Sequence, residues 1–245
     1  MKTVQKTFLL FLLIPFFVAC MDDNDSINEN YHIDIATVIN PDSSSSFMFQ
    51  LDNDKLMWAP ASGSSSYKPK DGQRIIAYYT ILPDKSVDSL YDYKVQLNDA
   101  YNVLTKGIFA IKPAQQDSIG NDSITIKDMW VSSDYLNVEF VYPGNDKIHY
   151  ISLVSDASKA YTDGKTHLEF RHNANDDRAV SYREGIVSFN LKSIKPASSA
   201  AAINLVIHVN IPNQTAEKTY EYKYPNEKAA TVSYLSKMKA PGQSL

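Results

Sequence analysis

The sequence predicts an all-β protein of two units, a small Greek-key barrel followed by an antiparallel β-sandwich, and three observations predict it. Short runs rich in Ile, Val, Tyr and Phe recur along the chain, bounded by Asp, Asn, Gly, Ser and Pro; branched and aromatic side chains suit a pleated, half-buried surface. Several runs alternate apolar with polar residues, as Ile33, Asp34 and Ile35 do, which is the period of a strand. Amphipathic helical periodicity is nearly absent.

The first series runs from residue 31 to 113: "YHIDIATVI", "FMFQL", "KLMW", "GQRIIAYYTIL", "LYDYKVQL" and "YNVL". About five such strands suit a closed barrel, because closure removes exposed sheet edges. Residues 114–124 carry Gly, Asn, Asp and Ser and read as a linker. The second series, residues 125–225, comprises "ITIKDMWV", "YLNVEFVY", "KIHYISLV", "THLEFRH", "GIVSFNL", "INLVIHVNI" and "KTYEYKY". "SSDY", "YPGNDK", "YTDGK" and "NANDD" between them read as tight connections. This spacing points to an antiparallel sandwich.

Residues 1–19 have a different character. Lys2 and Lys6 precede an apolar run from Phe8 to Val18, and Ala19 is the small residue expected before a cleavage point, the pattern of a secretory signal. The run is about eleven residues, well short of the roughly twenty that span a bilayer as a helix. Cys20 is the only cysteine, so an internal disulfide and a cysteine metal cluster are both excluded. Following Phe17, Val18 and Ala19, it resembles a bacterial lipobox cysteine, and acylation there would hold the chain at the outer membrane. Asp22, Asp23 and Asp25 open a polar stretch to residue 30 that buries too little apolar surface to fold and reads as a tether. Acid directly behind such a cysteine also resembles the surface-export signal of Bacteroidetes lipoproteins, which implies display on the cell surface.

The chain carries 24 basic and 28 acidic residues, a formal charge of −4, and cleavage before Cys20 would remove Lys2 and Lys6 but no acid. No basic stripe is present, and a phosphate backbone needs clustered Lys and Arg, so nucleic acid is not the expected partner.

Seven strings in one order carry a family resemblance: "YKPKDGQRI" (67–75), "YDYKVQLND" (91–99), "VLTKGI" (103–108), "DSIGND" (117–122), "IKDMWV" (126–131), "YLNVEFVY" (135–142) and "HLEFRHN" (167–173). Together they resemble the NigD-like lipoproteins of Bacteroidetes, from Cys20 to about Tyr224. The resemblance implies an N-terminal OB-type barrel and a C-terminal β-sandwich. It also implies a part in bacteriocin immunity, the role proposed for the bacteriocin-associated operon from which the family takes its name, with no catalytic residues to carry over. The expected function is therefore that of a non-catalytic, lipid-anchored binding protein whose partner is a protein such as a bacteriocin. The alternative is a glycan-binding or assembly accessory of an outer-membrane complex.

Individual residues sharpen these expectations. An OB-type barrel binds oligosaccharides or oligonucleotides through aromatic stacking on one face, and Tyr67, Tyr78, Tyr79, Tyr91 and Tyr93 are the candidates for such a face, with Trp58 assigned to the core. Lys68, Lys70 and Arg74 form a small basic patch near Tyr67, while Asp71 and Gly72 make the turn before the next strand. On a strand, His167, Glu169 and Arg171 share one face and Leu168, Phe170 and His172 the other, so the two histidines point apart. Glu169, Arg171 and His167 are expected to form a cross-strand network, with His149 and His208 on neighbouring strands. No HExxH or GxSxG pattern occurs, and "NANDD" lacks the spacing of a calcium loop. No enzyme activity, metal or cofactor is expected. In the tail, 226–245, Ala229, Val232, Leu235 and Lys239 fall near one side of a short helical pattern.

Overall fold

The computed structural model describes residues 31–39, 46–60, 66–83, 90–196 and 202–225. Cys20, the acids at 22, 23 and 25, and the tail from 226 lie outside the described residues.

Five strands make the N-terminal barrel: β1 (Tyr31–Ile39), β2 (Phe47–Leu51), β3 (Leu56–Ala59), β4 (Arg74–Ile81) and β5 (Tyr93–Asn102). They close in the order β1-β2-β3-β5-β4. The closing ladder is parallel, with Met57 opposite Tyr93 and Trp58 opposite Lys94. Alternation fixes what lies inside: Ala36, Val38, Phe49, Met57, Ile75, Ala77, Tyr79, Val95 and Leu97 fill the barrel. Gly72, at φ +71°, makes the tight approach to β4, as the Asp-Gly pair suggests.

Eight strands make the second unit: β6 (Leu104–Ile111), β7 (Thr125–Ser132), β8 (Tyr135–Gly144), β9 (Tyr150–Asp156), β10 (Thr166–Asn173), β11 (Ser181–Asn190), β12 (Ile203–Val209) and β13 (Lys218–Tyr224). Their order is β13-β12-β10-β9-β6-β11-β8-β7. β6 joins the two layers of the sandwich: Leu104 to Gly107 lie beside β11, and Ile108 to Ile111 beside β9. Leu136, Val138, Phe140, Leu153, Leu168, Phe170, Val187 and Phe189 interdigitate between the layers.

The all-β reading and its two units stand, with two corrections of detail. β6 falls within the stretch assigned to the barrel, yet it pairs only with sandwich strands. Nor is the sandwich wholly antiparallel, since β6–β11, β6–β9 and β10–β12 are parallel. The tight connections are local and legible, whereas a parallel neighbour arrives from far along the chain and leaves no turn signal. The expected linker holds a 3-10 turn (Pro113–Gln115) running into one helical turn, α1 (Gln116–Ile119).

The barrel docks on the outer face of β7, β8 and β11. Ile33, Ile35, Ile76, Tyr78 and Val103 pack there against Trp130, with Ile186 at the margin. Beside this apolar seam lies a buried polar joint. The Arg74 guanidinium donates to both carboxylate oxygens of Asp52 at 2.5 and 2.9 Å, and to Asn137 Oδ1 at 3.1 Å. Ser132 Oγ donates to Asp52 at 2.5 Å, Asn137 Nδ2 to Ser132 Oγ at 2.8 Å, and Ser188 Oγ to Asn137 Oδ1 at 2.7 Å. Arg74, 1% exposed, lies over the Tyr135 ring at 4.4 Å. It is thus the pin between the two units and no part of a surface patch.

Candidate functional site

The five barrel tyrosines do not form one face. Consecutive residues of β4 point to opposite sides, so Tyr79 enters the barrel core and Tyr78 the seam. The Tyr79 hydroxyl donates to Asp34 Oδ2 at 2.8 Å, and burial raises the pKa of both groups. Tyr67 is half-buried against Phe47 and donates to Asn102 Oδ1 at 2.8 Å. Tyr91 remains on the outside, while Tyr93, 42% exposed, lies opposite Met57 on the inner side of the wall, two residues before the core residue Val95. Trp58, assigned to the core from sequence, is instead half-buried on the exterior: it packs on the Tyr91 ring at 5.2 Å, with Lys94 Nζ 5.6 Å away. The outward surface of the β3–β5 junction is therefore a small aromatic platform of Trp58 and Tyr91. Parallel pairing of β3 with β5 builds it, and nothing local in either strand announces that pairing.

A better-defined surface sits at the far end of the sandwich. β8 and β11 run from the joint at Asn137 and Ser188 to Gly144 and Ser181, a distance of about 20 Å at the rise of a strand. Two loops close this end, 145–149 between β8 and β9 and 174–180 between β10 and β11. On them and on the strands they feed, Ile148 is 69% exposed, Val180 65%, Tyr182 81% and Tyr150 53%. Exposed side chains on loops held by a rigid scaffold are the ordinary material of recognition.

The loops are held firmly. Asp177 accepts from the amides of Asn145 at 2.5 Å, Arg178 at 2.9 Å and Asp146 at 3.4 Å, and pairs with His149 Nε2 at 3.2 Å. Lys147 Nζ donates to the Asn175 carbonyl at 2.9 Å, and the Arg183 guanidinium to the Asn145 carbonyl. Asn175 and Asp176, both at positive φ, make the turn that aims Asp177 inward, its side chain 2% exposed. "NANDD" is a turn, as the sequence suggests, and its last carboxylate fastens the neighbouring loop. Gly144 leaves the space: a β-carbon there would lie 3.2 Å from His149 Nε2 and 3.3 Å from Asp177 Oδ2.

Burial alone would raise the pKa of Asp177, but the amides and His149 outweigh it and hold the carboxyl well below its ordinary range. A carboxyl depressed in the folded state contributes stability above its unfolded pKa of about 3.9 and loses it as pH falls towards the folded value. Asp177→Asn is therefore expected to lower the melting temperature at pH 7, with a difference from the unaltered protein that shrinks below about pH 4. Thermal unfolding across that range checks it.

The histidines of the sandwich fall into two pairs. His149 Nδ1 lies 2.8 Å from His172 Nε2, and His172 Nδ1 is 3.3 Å from the Ser123 carbonyl. His167 Nδ1 lies 2.8 Å from His208 Nε2, and His167 Nε2 is 2.9 Å from Asp163, with the Tyr161 ring stacked 3.6 Å above His167. His167 and His172 do point apart, as alternation requires. The expected network of Glu169, Arg171 and His167 is corrected in one member: Glu169 pairs with Arg171 and with Lys159 Nζ at 2.7 Å, while His167 turns to His208 and Asp163. The partner strand, β12, is parallel to β10 and sets His208 opposite Glu169, two positions along from the Val206 that faces His167, a register that the sequence does not display. Among the described residues, no group of three or more His, Cys, Asp or Glu is placed to hold a metal ion.

Comparison with known proteins agrees with this architecture. The model of the NigD-like N-terminal OB domain matches residues 35–103, and that of the NigD-like C-terminal beta sandwich domain matches residues 107–224. The second match begins within β6, where the structure places the change of unit. A crystal structure of a protein of unknown function from Bacteroides vulgatus is 31% identical, with a TM-score of 0.70, over 85% of this chain and 100% of that one. A toxin-related protein from Parabacteroides distasonis is 29% identical, with a TM-score of 0.65, over 79% and 93%. A NigD-like immunity protein from Bacteroides caccae shares the fold at 17% identity and a TM-score of 0.60, over 80% and 97%. No curated protein matches the chain. With both domain models in sequence order and the sheets they describe in place, the chain belongs to the NigD-like family.

Proposed function

We propose that this chain is a non-catalytic binding protein, held to the outer membrane through acylated Cys20 and displayed on the cell surface, that protects its cell by engaging an incoming bacteriocin. The observation that carries the reading is the distal tip of the sandwich. Ile148, Tyr150, Val180 and Tyr182 are exposed there on loops fastened through Asp177. Pre-ordered loops lose less conformational freedom on association, and exposed aromatic and aliphatic anchors are the groups that dominate protein interfaces. Membership of the NigD-like family and the shared fold with a protein described as an immunity protein support the same direction.

Deleting the gene is expected to sensitise cells to the spent medium of a bacteriocin producer, and re-expression to restore survival. Unchanged killing across a broad panel of producers would count against the reading. Protease treatment of intact cells tests the display: the natural chain should be digested, and a chain with Asp22, Asp23 and Asp25 changed to alanine should be protected.

The Trp58 and Tyr91 platform favours a second reading, glycan binding, because sugar rings stack on aromatic faces. A glycan array on the purified protein and on Trp58→Ala decides it. Signal lost in the variant supports the reading, and no signal from either protein removes it.

A further inference from the structure

The hydrogen bonds at the tip fix a proton count. His172 Nδ1 faces the Ser123 carbonyl and must donate to it. Between His149 Nδ1 and His172 Nε2, 2.8 Å apart, one proton makes the hydrogen bond, carried by either nitrogen. The other nitrogen of His149 faces the Asp177 carboxylate and is also a donor. Three protons on the four ring nitrogens thus satisfy every partner, the middle one on either of the two facing nitrogens.

A fourth proton would put an N–H on both facing nitrogens, His149 Nδ1 and His172 Nε2. Two donors at 2.8 Å cannot share that contact, so the rings must separate. Burial and the neighbouring His149 hold the pKa of His172 below its ordinary value, which places the event below about pH 6.5. The groups around the pair leave no easier response. Asp177 faces His149 from loop 174–180, and Tyr142 of β8 covers it at 4.5 Å. Asp122 donates its amide to the His172 carbonyl, and its carboxylate accepts the Ala174 amide. Asp146 and Lys147, on His149's own loop, are exposed. His172 itself is 1% exposed, so a charged ring there has no water to turn to.

We propose that the His149–His172 pair is a proton-operated latch on the tip: a fourth proton parts the two rings and loosens loops 145–149 and 174–180, withdrawing the ordered contact surface in mildly acid surroundings. Its biological meaning rests on the tip being the contact surface, but the latch has a physical readout of its own.

Amide hydrogen exchange on the full chain at pH 7.5 and pH 5.5, corrected for intrinsic rates, reads it directly. The amides of Asn145 and Asp146 are expected to lose at least about ten-fold in protection at the lower pH, a shift of about 1.4 kcal/mol in the opening equilibrium. Amides of β1 and β4 in the barrel should not change. His172→Gln keeps an acceptor and a donor without a titrating ring, and should hold the same protection at both pH values. Should that variant fail to fold, ring nitrogen shifts of the unaltered protein at pH 5.5 supply the second reading: protonation of both His149 Nδ1 and His172 Nε2 supports the latch, and a pair still sharing three protons overturns it. Unchanged protection at Asn145 and Asp146, or an equal loss in β1 and β4, would also overturn it. None of these readings involves bacteriocin killing, so the latch and the immunity reading fail separately.

Discussion

Arg74→Ala is expected to destabilise the protein by about 3–5 kcal/mol, the range observed when one partner of a buried ion pair is removed. Asp52, 7% exposed, would keep Ser132 as its one side-chain donor among the described residues, with no cation beside its charge there. The loss also unpins the two units. Arg74 is on β4 of the barrel, and through Asp52, Ser132 and Asn137 it reaches β7 and β8. Urea unfolding should therefore show a lower midpoint and a broadened or divided transition where the unaltered chain shows one. Removing both charges in Arg74→Ala/Asp52→Ala should recover part of the loss, because no charge is then stranded. A single variant with unaltered stability would mean that the joint is incidental.

Phe170→Ala should cost a similar amount, about 3–5 kcal/mol for a large aromatic removed from a packed core. Phe170 is 1% exposed on β10, with the Phe140 ring 5.9 Å away and the Phe189 ring at 6.0 Å. Those rings come from the opposite layer, so the cavity would open between the layers at a place that backbone already fixed by ladders cannot collapse to fill. A urea titration measures it, and a cost below about 1 kcal/mol would contradict the packing described.

The two substitutions mark how far the sequence could be read. Phe170 was legible because the alternation of Leu168, Phe170 and His172 against His167, Glu169 and Arg171 assigns a core face without knowledge of any partner strand. Arg74 was not. Beside Lys68 and Lys70 it looks like one more surface cation, and its partners lie 22 and 63 positions away. The same contrast separates Tyr79 from Trp58: a tyrosine's position on a strand predicts that half of such residues turn inward, but not which half. The tip is partly legible. "NANDD" announces a turn, and His149 and His172 are both visible, yet their contact depends on how β9 pairs with β10, setting Tyr150 opposite Asn173. Local chemistry specifies turns and faces. Register and parallel pairing come from the whole chain, and the site is built from those.

The central claim is that the sandwich tip is the surface through which this protein works. The most direct measurement is survival of the deletion strain, challenged with a bacteriocin producer's spent medium, when it carries Ile148→Asp/Tyr182→Asp. Both side chains are exposed and lie outside the core, so surface level and melting temperature should match the unaltered protein. The account predicts that protection is lost while the folded protein stays on the surface. Full protection by that variant would contradict it.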